Sequence, residues 1–290
     1  MDGLYPKGLF DTDDDGPGGA PPSSRWPLRI GTCSFTAAGW RGSFYPRGLK
    51  SSEFLPYYAS RFDTLEIDST FYAIPDRKVV RRWHDLTPAD FRFALKFPTV
   101  ITHEKVLADC EPETVEFLKA AQELEGKLGP LLLQFPYFGR GAMSEEDFLR
   151  RLGNFLQGMS GEFPVAVEIR NRGWLQARLL ELLARHNVAL ALIDHPYMPP
   201  PDQIPLPPPL TADFAYVRLL GDRKAIEEKT TVWNDVIVDR TAELQNWVAI
   251  CREVVRRGMQ THVYVNNHYA GFAPATVSQF VELWDGQEVL

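Results

Sequence analysis

Seven ionisable residues could work together if the fold gathered them: Glu66, Asp68, Glu168 and Asp194 on the acidic side, Lys96, Arg170 and Arg218 on the basic side. Each lies in or just beyond a short apolar run. Burying an unpaired charge is costly, so each needs a partner or a task. Glu66 and Glu168 are the candidate catalytic acid–base pair, provided their environments push their pKa values apart. Lys96 is the third candidate catalytic residue, stabilising developing negative charge or acting as a base once desolvated. Arg170 and Arg218 suit a two-pronged grip on a carboxylate or phosphate. The competing reading of all seven is structural ion pairing.

Eight apolar runs of strand length must position these groups: LRIGTCS from Leu28, TLEID from Thr64, FRFALKF from Phe91, PLLLQF from Pro130, PVAVEIR from Pro164, VALALID from Val188, DFAYVRLL from Asp213 and THVYVNN from Thr261. Runs this continuous suit parallel strands buried on both faces. Helical patterns fill most gaps: Ser51–Arg61, Val79–Leu86, Glu113–Leu128, a helix capped by Ser144 and running to about Gln157, Trp174–His186, Arg240–Arg257, and one started by Pro274. The sixth connection, HPYMPPPDQIPLPPPL from His195 to Leu210, is too rich in proline for a regular helix. Eight βα repeats predict an α/β fold of the (β/α)₈ (TIM) barrel type, with an irregular sixth connection. A doubly wound open sheet is the alternative, weakened by the lack of a GxGxxG after the first strand.

In such barrels the strands' C-terminal ends carry the active site. That places Thr32, Cys33, Ser34, Glu66, Asp68, Lys96, Gln134, Glu168, Arg170, Asp194, Arg218, Asn266 and Asn267 in one polar ring. After the eighth strand, NNHYAGFAPAT offers Asn266, Asn267, Gly271 and a helix N-terminus, a combination able to hold a phosphate. An ordinary glycine turn explains it equally well. Trp40, Phe44 and Tyr45 in GWRGSFYP, with Phe71 and Tyr72, make either an aromatic wall for a planar ligand or part of the core. No cofactor is expected. A divalent metal would draw on His103, His195 and His268 with Glu66, Glu168 and Asp194, but no HxH or HxxE spacing supports it. Neither a GxSxG elbow nor a P-loop is present.

The bulk numbers bound the partners. A net charge of -7 counts against a broad nucleic-acid-binding surface. Three scattered cysteines form no disulfide or zinc pattern and point to a reducing, cytoplasmic setting. No apolar run approaches the roughly 20 residues of a membrane helix, and no signal peptide is expected. Residues 1–26, with DTDDDGPGGAPPSS, are expected to be a flexible arm, and residues 27–290 a single barrel domain. No obligate protein partner is evident.

The motifs IGTCSF, GWRGSFYP, TLEIDSTFYAIP, WHDLTPADFRFALKFPTVITHE, LGPLLLQFP, VAVEIRNRGW, ALALID, AYVRLLG and VYVNNHYAGFAP occur in this order from about Arg29 onward. Here the chain resembles the YecE-like, DUF-72 family of barrel proteins of unassigned activity. The resemblance implies site positions at Glu66, Ser69, Thr70, Tyr72, Lys96, Thr102, His103, Gln134, Glu168, Arg170, Trp174, Asp194, Arg218 and Asn267, largely the ring already derived. The chain departs from the family at Ser34-Phe35, at Leu220-Gly221 and in the insert from Gly221 to Arg240.

Together these readings predict an enzyme acting on a small anionic, phosphorylated or nucleotide-like substrate. Glu66 and Glu168 would move protons, and Lys96, Arg170 and Arg218 would hold the anion. Asn267 and the glycine loop would orient a phosphate, and Trp40 and Tyr72 would stack on a ring. A nucleic-acid-binding or -processing protein is the first alternative, with phosphate contacts from Arg41, Arg47, Arg170, Arg218, Arg223 and Lys224. A glycoside hydrolase using Glu66 and Glu168 is the second. A non-catalytic binding barrel is the third.

Overall fold

The computed structural model describes residues 27–286 except residue 160; the expected arm, 1–26, lies outside the described residues. Eight parallel strands form the centre: β1 (Leu28–Thr32), β2 (Thr64–Ile67), β3 (Arg92–Lys96), β4 (Leu128–Gln134), β5 (Val165–Glu168), β6 (Ala189–Asp194), β7 (Phe214–Leu219) and β8 (Gln260–Val265). They pair in the order β1-β8-β7-β6-β5-β4-β3-β2, a nearly closed barrel with helices between its strands.

The seam lies between β1 and β2, where the hydroxyl of Tyr58 bridges the strands. It accepts from the Thr32 N–H at 2.8 Å and lies 3.2 Å from the Thr64 carbonyl as a donor. The strands come so close that a Cβ on Gly31 would fall 2.0 Å from the Thr64 carbonyl oxygen, so only glycine fits.

The helices are α1 (Phe54–Ala59), α2 (Arg77–Asp85), α3 (Glu111–Ala121), α4 (Glu145–Gly158), α5 (Ala177–Arg185), α6 (Arg223–Glu227), α7 (Thr241–Arg256), α8 (Asn267–Ala270) and α9 (Ala273–Gly286). The Ser144 hydroxyl caps α4 by accepting from the Asp147 N–H, the pattern its sequence offered. The helix expected over Glu113–Leu128 is shorter. It tightens to a 3-10 turn from Gln122, with Glu125 at φ 49°, so that β4 starts at Leu128. Between β6 and β7 no α-helix forms; a single 3-10 turn, Pro201–Gln203, interrupts the proline-rich chain.

Register carried around the sheet decides which side chains share the interior. Paired residues of parallel strands face the same side, and side chains alternate along each strand. Glu66 pairs with Ala94, Lys96 with Leu132, Gln134 with Glu168, Tyr216 with Ala191, and Arg218 with Tyr264. Followed in steps of two, these place Glu66, Lys96, Gln134, Glu168, Tyr216, Arg218 and Tyr264 on the inner face.

Candidate active site

Arg218, near the end of β7, is the centre of the charged cluster. Its Nε lies 2.9 Å from Glu66 Oε2 and its Nη2 2.6 Å from Glu66 Oε1. Nη1 donates to Glu168 Oε2 at 2.7 Å, and Nη2 also reaches Asp68 Oδ1 at 3.3 Å. The Tyr216 hydroxyl donates to Glu66 Oε2 at 2.5 Å. Arg170 holds the far side of Glu168, with Nε 2.8 Å and Nη2 2.5 Å from Oε1. Glu66 and Glu168 are fully buried and Arg218 is 3% exposed, so the guanidinium is spent on protein carboxylates.

The loop after β2 folds back over β3. The Thr70 hydroxyl donates to the Lys96 carbonyl at 2.7 Å and accepts from the Lys96 N–H at 3.1 Å. This clip sets Phe71 beside the lysine, with Nζ 3.9 Å from the ring centroid. The His103 ring meets the same phenyl edge-on at 4.9 Å. Among the described residues Lys96 has no carboxylate within ion-pairing distance, although its side chain is largely buried.

The neighbourhood sorts the titrating groups. Burial raises the Glu168 carboxyl, but Arg170 and Arg218 outweigh it and hold the group at about 2. Burial against the pocket, then the Glu66 carboxylate, push Asp68 up to about 6. Burial lowers Lys96, with Asp68 pulling the other way. His103 is lowered to about 4 by burial, then by Lys96 and Arg170; His195 is lowered to about 4 by burial and Arg170. Both imidazoles are therefore neutral at pH 7. Glu168 is ionised there, and Asp68 titrates within about a unit of neutrality.

Above Arg170 the mouth opens into a cleft of about 630 Å³ lined by Tyr137, Arg170, Asn171, Arg172, Gly173, Trp174 and Tyr197. Trp174 forms its wall, stacked on Phe138 and Phe148 with centroids 5.6 and 5.1 Å away. Gln134 is buried beside Glu168 and donates to the Phe135 carbonyl at 2.5 Å. Ser69 is exposed. Thr102 is buried, its hydroxyl 2.8 Å from His103 Nδ1.

Several expected positions lie elsewhere. Asp194 is out of step with the inner face. Its carboxylate accepts from Trp247 Nε1 of α7 at 2.8 Å, outside the barrel interior. Trp40 is 1% exposed within an aromatic cluster with Phe44 and Tyr45, so it offers no face for stacking. Tyr72 is 77% exposed. The loop after β8 spends its polar groups on itself. The Asn266 side chain accepts from the His268 N–H, and Asn267 Oδ1 accepts from the Ala273 N–H and Trp40 Nε1. Gly271, at φ 110°, lies under the insert, where a Cβ would fall 2.7 Å from the Asp235 carbonyl oxygen. The glycine turn, rather than an open phosphate loop, is what forms.

Cys33, Glu66 and Asp68 bring one potential metal-ligand atom each within 4.8 Å of one another. Arg218 Nη2 is bonded to both carboxylates and lies 3.9 Å from Cys33 Sγ, so the guanidinium supplies the positive charge of that cluster. Burial, then Glu66, raise the Cys33 thiol, which keeps it protonated. His103, His195 and His268 do not join the cluster.

Tyr216 is the site residue that sequence reasoning passed over. Its signal was the two-residue alternation, which puts it on the face of Arg218. Tyr137, Asn171, Arg172 and Tyr197 at the cleft were also passed over; the exposed Tyr197 ring lies 5.9 Å from that of Tyr137, in a loop without periodicity.

The family model "Protein of unknown function DUF72" matches residues 29–289. UPF0759 protein YecE of Escherichia coli (strain K12) is 38% identical over 117 residues, 40% of this chain and 41% of YecE; the chain thus spans about two fifths of the length of that relative. UPF0759 protein YunF of Bacillus subtilis (strain 168) is 25% identical over 85% of this chain and 93% of YunF. The crystal structure of a DUF72 family protein from Thermotoga maritima is 29% identical, with TM-score 0.70 over 89% of this chain and 99% of that one. The chain belongs to the DUF72 family, a family of unknown function with a (β/α)₈ barrel fold.

Proposed function

We propose that this protein is an enzyme acting on a small anionic substrate at the C-terminal mouth of the barrel, with Asp68 as the proton-transferring group and Arg170 as the anchor for the anion. The observation that carries the reading is the unequal sharing of Arg218. It engages Glu66 and Glu168 closely, yet touches Asp68 only at 3.3 Å. Asp68 keeps about 30% of its side chain exposed and a pKa of about 6, suited to giving and taking a proton near neutral pH. The acid–base role thus shifts from the expected Glu66 and Glu168 to the neighbour they leave free. Arg170 spends two of its five N–H groups on Glu168 and lines the open cleft with Arg172, so donors remain for a carboxylate or phosphate.

A glycosidic bond held between Glu66 and Glu168 is not part of this reading, because the Arg218 guanidinium fills the space between them. The test is thermal unfolding of the full chain across millimolar inorganic phosphate. A bound anion raises the melting temperature by mass action, and Arg170→Ala should abolish the rise. A rise that persists in Arg170→Ala, or none in the parent protein, contradicts the reading.

A further inference from the structure

We infer that Lys96 is a covalent nucleophile, forming an imine with a substrate aldehyde or ketone that also carries a carboxylate or phosphate. The inference deepens the reading above and rests on it: Arg170 anchors the anion while Lys96 takes the carbonyl.

Three features of the site support it. First, the amine is unpaired. Glu66 and Glu168 are both committed to arginines, and among the described residues no carboxylate lies within ion-pairing distance of Lys96 Nζ. A buried lysine whose task were charge balance would sit on one of them. Second, the stem is fixed. The Thr70 hydroxyl holds both the Lys96 N–H and its carbonyl, and the Phe97 N–H continues the ladder to Leu132. The side chain therefore leaves a rigid strand end rather than a loop, so little positional freedom remains to be lost on reaction. Third, one side of the amine is apolar. Phe71 covers it at 3.9 Å, and a neutral His103 packs against that ring in an edge-to-face contact. Such a wall keeps water from an imine carbon. Desolvation also favours the uncharged amine, the nucleophilic form, and burial does lower the Lys96 pKa.

Asp68 completes the chemistry. Its charge acts on Lys96 more strongly than that of any other carboxylate nearby. The amine lone pair adds to the carbonyl carbon, and the carbonyl electron pair moves to oxygen. Asp68 takes the proton released from nitrogen and passes it to that oxygen, giving a neutral carbinolamine. The regenerated carboxylate then takes the remaining N–H proton and delivers it to the hydroxyl as the carbon–oxygen bond breaks, so that water leaves and the nitrogen electron pair forms the carbon–nitrogen double bond. The sum is carbonyl plus amine giving imine plus water, with no oxidant or reductant required.

The experiment is reductive trapping on the full chain. Glyoxylate, an aldehyde with a carboxylate, and glycolaldehyde phosphate, an aldehyde with a phosphate, are each incubated with the protein and sodium cyanoborohydride, followed by peptide mass mapping. The expected result is an adduct at Lys96 formed ahead of adducts at the exposed Lys78 and Lys224. The better of the two probes identifies the anionic group. Lys96→Arg should lose the adduct while keeping the phosphate-dependent thermal shift, and Asp68→Asn should slow trapping. Labelling of Lys78 and Lys224 with Lys96 unmodified, while phosphate still stabilises the protein, overturns the imine and leaves the anion site standing. Loss of both the adduct and the phosphate shift overturns the two together.

Discussion

Arg218 meets Glu66 side-on, its Nε and Nη2 forming a fork on the two carboxylate oxygens at 2.9 and 2.6 Å. This is the planar, two-point geometry that only a guanidinium provides. The same group reaches Glu168 with its remaining nitrogen, so one arginine from β7 neutralises charges from β2 and β5 across the barrel.

Removing that arginine should be severe. Arg218→Met leaves Glu66 buried with neutral partners, the Tyr216 hydroxyl and the Cys33 thiol, and Glu168 with Arg170. Breaking a buried pair in this way costs about 3–5 kcal/mol. Arg218→Lys should rescue little, because one ammonium cannot span both carboxylates. Urea denaturation checks both variants, and a loss below about 1 kcal/mol would contradict the bridging role.

Glu168 gives a pH test with a definite sign. Its folded pKa of about 2 lies below the unfolded value of about 4.3, so the folded state favours the ionised form. That stability is fully present above the unfolded value and is lost as pH falls through about 4 towards 2. Glu168→Gln should therefore be less stable than the parent at pH 6, and the gap should narrow at pH 3. A gap that is constant with pH, measured by denaturant unfolding, would show that the arginines do not depress this group.

The seam gives a prediction about the fold alone. Tyr58→Phe removes the hydroxyl that the Thr32 N–H and Thr64 carbonyl share. Both strand groups are buried, so the cost should be about 1–3 kcal/mol. Amide exchange should quicken first at Thr32. Unchanged stability would mean that β1 and β2 close the barrel without the bridge.

The barrel was legible because its strands are apolar on both faces and its helices are amphipathic; PVAVEIR and VALALID needed no tertiary information. The site was legible only as a set of strand ends. Asp194 ends β6 just as Glu168 ends β5, yet it faces outward to Trp247. Register separates the two, and register depends on how neighbouring strands pair. The division of labour among the carboxylates was also hidden. Glu66, Asp68 and Glu168 look equivalent in a sequence, and only the structure shows Arg218 forked on Glu66, bonded closely to Glu168 and at 3.3 Å from Asp68. The loop from Asn266 to Gly271 misled for a related reason, since the His268 and Ala273 N–H groups that could hold a phosphate donate instead to the Asn266 and Asn267 side chains.

Charge balance links Asp68 to ligand affinity. Above about pH 6 Asp68 adds a negative charge to the mouth beside Lys96 and Arg218, and below it that charge is lost. Protonating Asp68 therefore removes one source of repulsion for an incoming anion. Phosphate affinity should therefore rise as pH falls through about 6, by up to about tenfold for each unit by which the anion raises the Asp68 pKa. Isothermal titration of Asp68→Asn should give a profile without that step.

The titration of Asp68 itself decides the matter most directly. Carbon-13 NMR of protein labelled at the aspartate carboxyl carbon, with the resonance assigned by its absence in Asp68→Asn, reads the pKa without assuming a substrate. The account predicts a midpoint of about 6 that moves upward when phosphate is added. A midpoint near the ordinary aspartate value of about 3.9, unmoved by phosphate, would contradict it.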